Sequence, residues 1–158
     1  MKEFDALSAD RRQLVIIIDE AHLCDMEMLT EIRFLLNFDM DSRSPMSLIL
    51  AGQSEIRDIL RKQVYEAISQ RIDLRCHIPP LDHTQTAEYI AAHLLYAGGP
   101  SPDIFTDQAV KLIFDYSDGL PRKINRVANL CLIHAAQVNK RFVDDHMVSL
   151  IIDGELSW

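Results

Sequence analysis

The sequence predicts an α/β segment followed by an all-α segment, and three observations carry that expectation. Two aliphatic runs, Val15-Ile16-Ile17-Ile18 and Ser47 to Ala51, lie on either side of a stretch with helical apolar spacing. The chain then changes character near Pro79-Pro80. Beyond that point every apolar pattern has a helical period. The 158 residues are 48% hydrophobic and 25% charged, the composition of a folded globular chain rather than a disordered one.

Taken in order, Val15 to Ile18 reads as a buried parallel strand with helices over both faces of its sheet. Asp25 can cap the next helix, whose apolar positions are Met28, Leu29, Ile32, Leu35 and Leu36. A polar turn at Asp41-Ser42-Arg43-Ser44-Pro45 ends it. A second strand, Ser47 to Ala51, runs into Gly52-Gln53. Residues 54–71 read as helical with a break near Gln63, and Leu74 to Ile78 as a third short strand. Strand-helix-strand alternation of this kind is the pattern of a parallel sheet.

The second segment is punctuated more sharply. Asp82 and Gln85 form a capping-box pair ahead of an apolar face of Ala87, Ile90, Ala91 and Leu94. Gly98-Gly99-Pro100 breaks that helix. Thr106 caps the next, with Ala109, Leu112, Ile113 and Tyr116 on its buried stripe and Gly119 as its terminator. Pro121 suits the first position of a third helix, buried through Ile124, Ala128, Cys131, Ala135 and Val138. Val143 to Ile152 supplies a fourth.

Charge and cysteine usage exclude some classes. A net charge of −8 argues against a nonspecific electrostatic grip on nucleic acid by the isolated chain. Cys24, Cys76 and Cys131 lie far apart with no paired motif, the usage of a reducing compartment. The N-terminus is too charged for a signal peptide. The longest apolar run, Leu14 to Ile18, is far short of the ~20 residues that span a bilayer as a helix. A cytoplasmic chain without direct membrane insertion is expected.

The chemistry gathers at strand ends. Asp19 and Glu20 follow the first strand, at the edge where open α/β sheets bind ligands. In a phosphate-handling site the first carboxylate orients hydrated magnesium. The second polarises the attacking water. The same pair also fits a solvated loop start. Gln53, just past the second strand, offers a neutral amide to a water or a terminal phosphate; an ordinary loop glutamine reads the same way. Arg71 falls at a helix end, where it complements the helix dipole or projects into a neighbour's phosphate site. Arg122 opens a helix, an unfavourable place for a cation, which makes a ligand role more attractive.

Together, in this order, these residues resemble the AAA+ ATPase fold. Asp19-Glu20 match the Walker B pair, Gln53 the sensor-1 position, Arg71 the arginine finger and Arg122 the sensor-2 arginine of the helical lid. Val-Ile-Ile-Ile-Asp-Glu-Ala-His-Leu, Leu-Leu-Asn-Phe-Asp-Met-Asp-Ser-Arg and Leu-Ile-Leu-Ala-Gly-Gln are similar to the general secretion pathway protein A (ExeA) family, including its transposon-encoded TniB type. Ser-Gln-Arg-Ile and Gly-Leu-Pro-Arg-Lys-Ile-Asn extend the likeness over residues 12–153. The resemblance implies residues 1–80 as the C-terminal part of an AAA+ core and residues 81–158 as a helical lid. It implies ATP and magnesium as cofactors, with Glu20 and Arg71 catalytic. Asp19, Gln53 and Arg122 would bind the nucleotide, Asp19 through a magnesium-bound water. It also implies a homo-oligomer working with transposase and DNA, or with secretion proteins.

Two departures qualify the likeness. Ser54 stands where the family commonly has proline. More seriously, the glycines at 52, 98, 99, 119 and 154 form no Gly-x-x-x-x-Gly-Lys-Ser/Thr loop, so nothing here grips the β- and γ-phosphates. The expectation is the C-terminal portion of an ATPase, inactive alone, whose sheet lacks its central strand and exposes unpaired edges. Such a chain is expected to self-associate, to swap elements, or to pair the 74–78 strand in a nonstandard way. Asp19-Glu20-Ala21-His22 also spells an RNA-helicase motif, but that family's downstream arginine motif is absent. His22, His77, His83, His93, His134 and His146 have no metal spacing. A competing reading is a non-enzymatic interaction module derived from such an ATPase.

Overall fold

The computed structural model describes residues 14–36, 46–99, 101 and 103–155, which form two compact units divided between Cys76 and His77. In the first, strand β1 (Leu14–Ile18) pairs in parallel with β2 (Met46–Leu50), in the register Ile16 to Leu48 and Ile18 to Leu50. Helix α1 (Met26–Leu36) lies between them in sequence. Its start is capped as expected: the Met28 amide donates to Asp25 Oδ1 at 2.8 Å. After β2 come α2 (Glu55–Leu60), a 3₁₀ turn at Gln63–Tyr65 and α3 (Glu66–Ser69), so the helical stretch breaks where the sequence placed its break.

The core of this unit is small. Ala21, Cys24, Leu29, Ile32 and Ile68 are buried together, with Ile18, Leu48 and Leu50 of the sheet and Ile56, Ile59 and Leu60 of α2 packed against them. Sheet residues therefore alternate, as the period-two geometry of strands requires. Leu14, Ile16 and Ile18 are half-buried, whereas Val15, Ile17 and Ile49 are exposed. This corrects the expectation of helices on both faces, because among the described residues only one face is covered. Met28 is likewise exposed, since its register on α1 falls beside the buried Leu29–Ile32 line rather than on it. The side chains of Leu35 and Leu36 and the 41–45 turn lie outside the described residues.

The third strand expected at 74–78 does not form. Among the described residues the sheet has two strands, paired with each other, and residues 72–82 join neither. A strand needs a partner for its backbone donors and acceptors. With none beside it, this segment leaves Leu74 84% and Ile78 87% exposed.

The second unit packs four helices: α4 (His83–Tyr96), α5 (Asp107–Ser117), α6 (Pro121–Gln137) and α7 (Asp145–Glu155). The Asp82–Gln85 capping box is complete, its two bonds 2.8 and 3.0 Å long. Thr106 Oγ1 accepts from the Ala109 amide at 3.2 Å, and Pro121 opens α6. Buried Ile90, Leu94, Ala109, Ile113, Ile124, Val127 and Cys131 share one core with Met147, Val148 and Ile151 of α7. Pro100 lies outside the described residues. Val138, expected on the buried stripe, is exposed because it follows the last turn of α6. The left-handed residue ending α5 is Asp118, with φ 51°, and Gly119 follows at φ 71°.

Gly119 locks the start of this unit to the loop before α6. Its carbonyl accepts from the Leu81 amide at 3.0 Å, and a Cβ at position 119 would fall onto the Leu81 carbonyl. Gly119→Ala is therefore expected to destabilise the helical unit by more than about 2 kcal/mol, from combined backbone strain and collision. A thermal melt followed by circular dichroism checks it; an unchanged midpoint would contradict the lock.

At the head of α7, Asp144 Oδ1 accepts from the Met147 amide at 2.9 Å and Oδ2 receives Lys140 Nζ at 3.1 Å. The Met147 amide, then the Lys140 hydrogen bond, hold this carboxyl below its ordinary value of 3.8. A depressed carboxylate stabilises the fold above the unfolded value, and that contribution fades as pH falls through the folded one. The gap in thermal midpoint between wild type and Asp144→Asn is expected to be full near neutrality and to close below pH 3.8. A gap that persisted in acid would contradict this.

Candidate functional site

The C-terminal ends of β1 and β2 lie side by side and are stitched beyond the sheet. The Ala51 amide donates to the Ile18 carbonyl at 2.9 Å, and the Ala21 amide to the Ala51 carbonyl at 2.8 Å. These bonds fold the turn after β1 over the loop after β2. Asp19 and Glu20 thus share one edge with the Gly52-Gln53 loop.

Asp19 is exposed, and its Oδ1 accepts from the Glu20 amide at 2.8 Å. Among the described residues its second oxygen has no hydrogen-bond partner. Glu20 has φ 51° and ψ 34°, a left-handed conformation that costs a residue with a side chain about 1–2 kcal/mol. Strain held at a strand end is a common mark of a functional position. The kink turns the backbone into the 3₁₀ turn Ala21–Leu23, which buries Ala21. It leaves the Glu20 side chain 59% exposed.

His22, which carried no signal in the sequence beyond its place after Glu20, proves central to the edge. Its side chain is only 11% exposed. Nδ1 accepts from the Gln53 amide at 3.3 Å, and Nε2 lies 3.4 Å from Glu20 Oε2. Gly52 makes room for it: a Cβ there would stand 3.1 Å from the His22 nitrogen and 3.2 Å from Nδ1.

The remaining residues lie elsewhere. Arg71 is half-buried in the turn after α3, where its amide donates to the Ile68 carbonyl at 3.0 Å. No strand follows it. Arg122 is exposed in the first turn of α6, in the second unit. The described residues hold no group of three or more His, Cys, Asp or Glu that could bind a metal alone. Magnesium does not need one, since it takes one or two carboxylates and completes its shell with water and phosphate oxygens. A groove of about 490 Å³ in the first unit, lined by Arg61, Lys62, Glu66 and Arg75 among others, contains none of Asp19, Glu20 and Gln53.

A parallel strand pair ends in Asp-Glu and in Gly-Gln and is followed by a helical unit, and the chain is similar to the AAA domain family. Residues 2–60 match that family's profile. The chain is also 33% identical over 129 residues to general secretion pathway protein A of Aeromonas hydrophila, a match spanning 82% of this chain and 23% of the relative. Among solved structures it resembles a lysine-to-arginine mutant of Thermotoga maritima RuvB, with a TM-score of 0.70, 16% identity, and coverage of 95% of this chain and 49% of that one. The Thermotoga maritima RuvB Holliday junction branch migration motor gives a TM-score of 0.67, 18% identity, and coverage of 96% and 48%. At those identities the likeness is one of fold. The chain spans under a quarter of its curated relative and about half of each solved one. Among the described residues no helix is long and apolar enough to cross a membrane.

Since Glu20 keeps a left-handed backbone, Glu20→Gly is expected to raise the stability of the first unit by about 0.5–1 kcal/mol while removing the carboxylate. Chemical denaturation measures this, and a loss of stability would mean that the Glu20 side chain supports the fold.

Proposed function

We propose that this chain supplies the hydrolytic edge of an AAA+ ATPase site, residues 1–80 forming the C-terminal part of the core and residues 81–158 the lid. The observation that carries the reading is the pair of stitched strand ends, with exposed Asp19 and Glu20 on one and Gln53 on the other. Magnesium-ATP, when bound, supplies the electrophilic γ-phosphorus and the charge that draws the carboxylates. Asp19 would hold the magnesium through one of its waters, and Glu20 would take a proton from the attacking water. Gln53 marks the terminal phosphate without adding charge. Arg71 acts on a neighbouring subunit's nucleotide and Arg122 on the lid side, so the working form is a homo-oligomer.

No phosphate loop occurs in these 158 residues, so the site is completed by a Gly-Lys loop from outside them and this chain alone does not turn over ATP. A secretion role is supported by the name of the curated relative, and a transposition role by the motif likeness to the TniB type. The same missing loop favours a second reading, in which the chain is an interaction module that keeps the inherited edge. Its uncovered sheet face of Val15, Ile17 and Ile49 is consistent with self-association.

Phosphate release with magnesium and ATP tests the reading. The chain alone is expected to release none; release abolished by Glu20→Gln would overturn its inactivity. In a protein where a phosphate loop completes the site, Glu20→Gln is expected to lower kcat by roughly 10²-fold or more. Arg71→Ala is expected to lower it by roughly 10³–10⁵. Mixing those two variants should restore turnover, because the first still lends Arg71 to the intact Glu20 of the second. Full activity of Glu20→Gln would leave only the interaction module.

A further inference from the structure

His22 is placed between the two groups that the proposed hydrolysis must coordinate. Its ring is nearly buried, sits in a rigid 3₁₀ turn, and touches Glu20 on one side and the backbone of Gln53 on the other. The contacts fix its chemistry. A neutral imidazole that accepts at Nδ1 carries its proton on Nε2. Here that nitrogen lies 3.4 Å from Glu20 Oε2, so the ring accepts from the glutamine loop on one side and faces the carboxylate on the other.

Both separations, 3.4 and 3.3 Å, exceed the roughly 2.9–3.0 Å of a well-formed N–H···O bond. The ring therefore lies beside both neighbours without a short bond to either. Gly52 is the residue that permits this approach, because a side chain there would press on the His22 backbone nitrogen and on Nδ1. Nothing comparable joins the two strand ends through side chains among the described residues. The bonds at Ile18, Ala21 and Ala51 are all backbone to backbone and set the frame within which the ring can move.

We infer that His22 is a positioning residue that couples the Gln53 loop to the Glu20 carboxylate, so that a group displacing Gln53 changes where Glu20 points. The inference rests on the ATPase reading for its consequence, but the linkage exists without nucleotide. A terminal phosphate held by the Gln53 side chain would pull on the loop whose backbone amide is bonded to Nδ1. Loss of that bond frees the ring to turn, which changes the neighbour that the Glu20 carboxylate meets 3.4 Å away. Nucleotide occupancy at one strand end is thereby sensed at the carboxylate on the next.

Nuclear magnetic resonance on the ¹⁵N-labelled 158-residue chain tests this without ATP. Long-range nitrogen–proton correlations of the His22 ring are expected to show the Nε2–H tautomer. Glu20→Gln is expected to move the Gln53 amide resonance more than those of Ala51 and Gly52. In a His22→Asn background, whose shorter side chain can still accept from Gln53 but does not reach Glu20, that response should be lost. An Nδ1–H tautomer, or an equal Gln53 response with and without the ring, would overturn the inference. The tautomer is read on the unsubstituted chain, so a variant that fails to fold does not remove the test. Absence of ATP hydrolysis in a completed protein would sink the enzymatic reading while leaving the linkage standing.

Discussion

Two backbone hydrogen bonds, Ala51 amide to Ile18 carbonyl and Ala21 amide to Ala51 carbonyl, hold the first unit's functional edge together. They continue the parallel ladder past the last paired residues and force the chain after β1 to turn back over the chain after β2. The left-handed Glu20, the 3₁₀ turn and the burial of Ala21 all follow from that turn. So does the close approach of His22 to Gly52 and Gln53. Net hydrogen-bond energies are modest, on the order of 1 kcal/mol each. Their importance here is geometric, because they decide which side chains meet.

The two units reach order by different means. The helical unit has a continuous core in which residues from all four helices are fully buried, and its helix starts are satisfied by side-chain caps or by Pro121. Among the described residues, the α/β unit buries fewer large side chains, and Val15, Ile17 and Ile49 on one sheet face are exposed. Its polar edge is therefore carried on a lightly supported scaffold.

The edge combines strain and connection in a way suited to a responsive site. Glu20 sits in a backbone conformation that its side chain disfavours, and its carboxylate is nonetheless within reach of a nearly buried imidazole. Asp19 keeps an oxygen open to incoming ligands.

Much of this was legible in the sequence because it depends on local rules. Caps at Asp25, Asp82 and Thr106, Pro121 at a helix start and the helical break near Gln63 follow from neighbouring residues alone, and the parallel pairing of two strands from the strand-helix-strand order. The juxtaposition of Asp19-Glu20 with Gly52-Gln53 follows from strand adjacency. Other features depended on what surrounds each element. Leu74 to Ile78 has strand-like composition, but a ladder needs a partner, and β1 and β2 satisfy each other. The exposure of Val15 and Ile17 was equally hidden, since an apolar run does not state whether its second face is covered. His22 is the clearest case. Sequence by itself determined that a histidine follows an acidic pair. Only the tertiary structure decided that it joins that pair to a loop 31 positions away, because folding brings the two strand ends within reach of one imidazole ring.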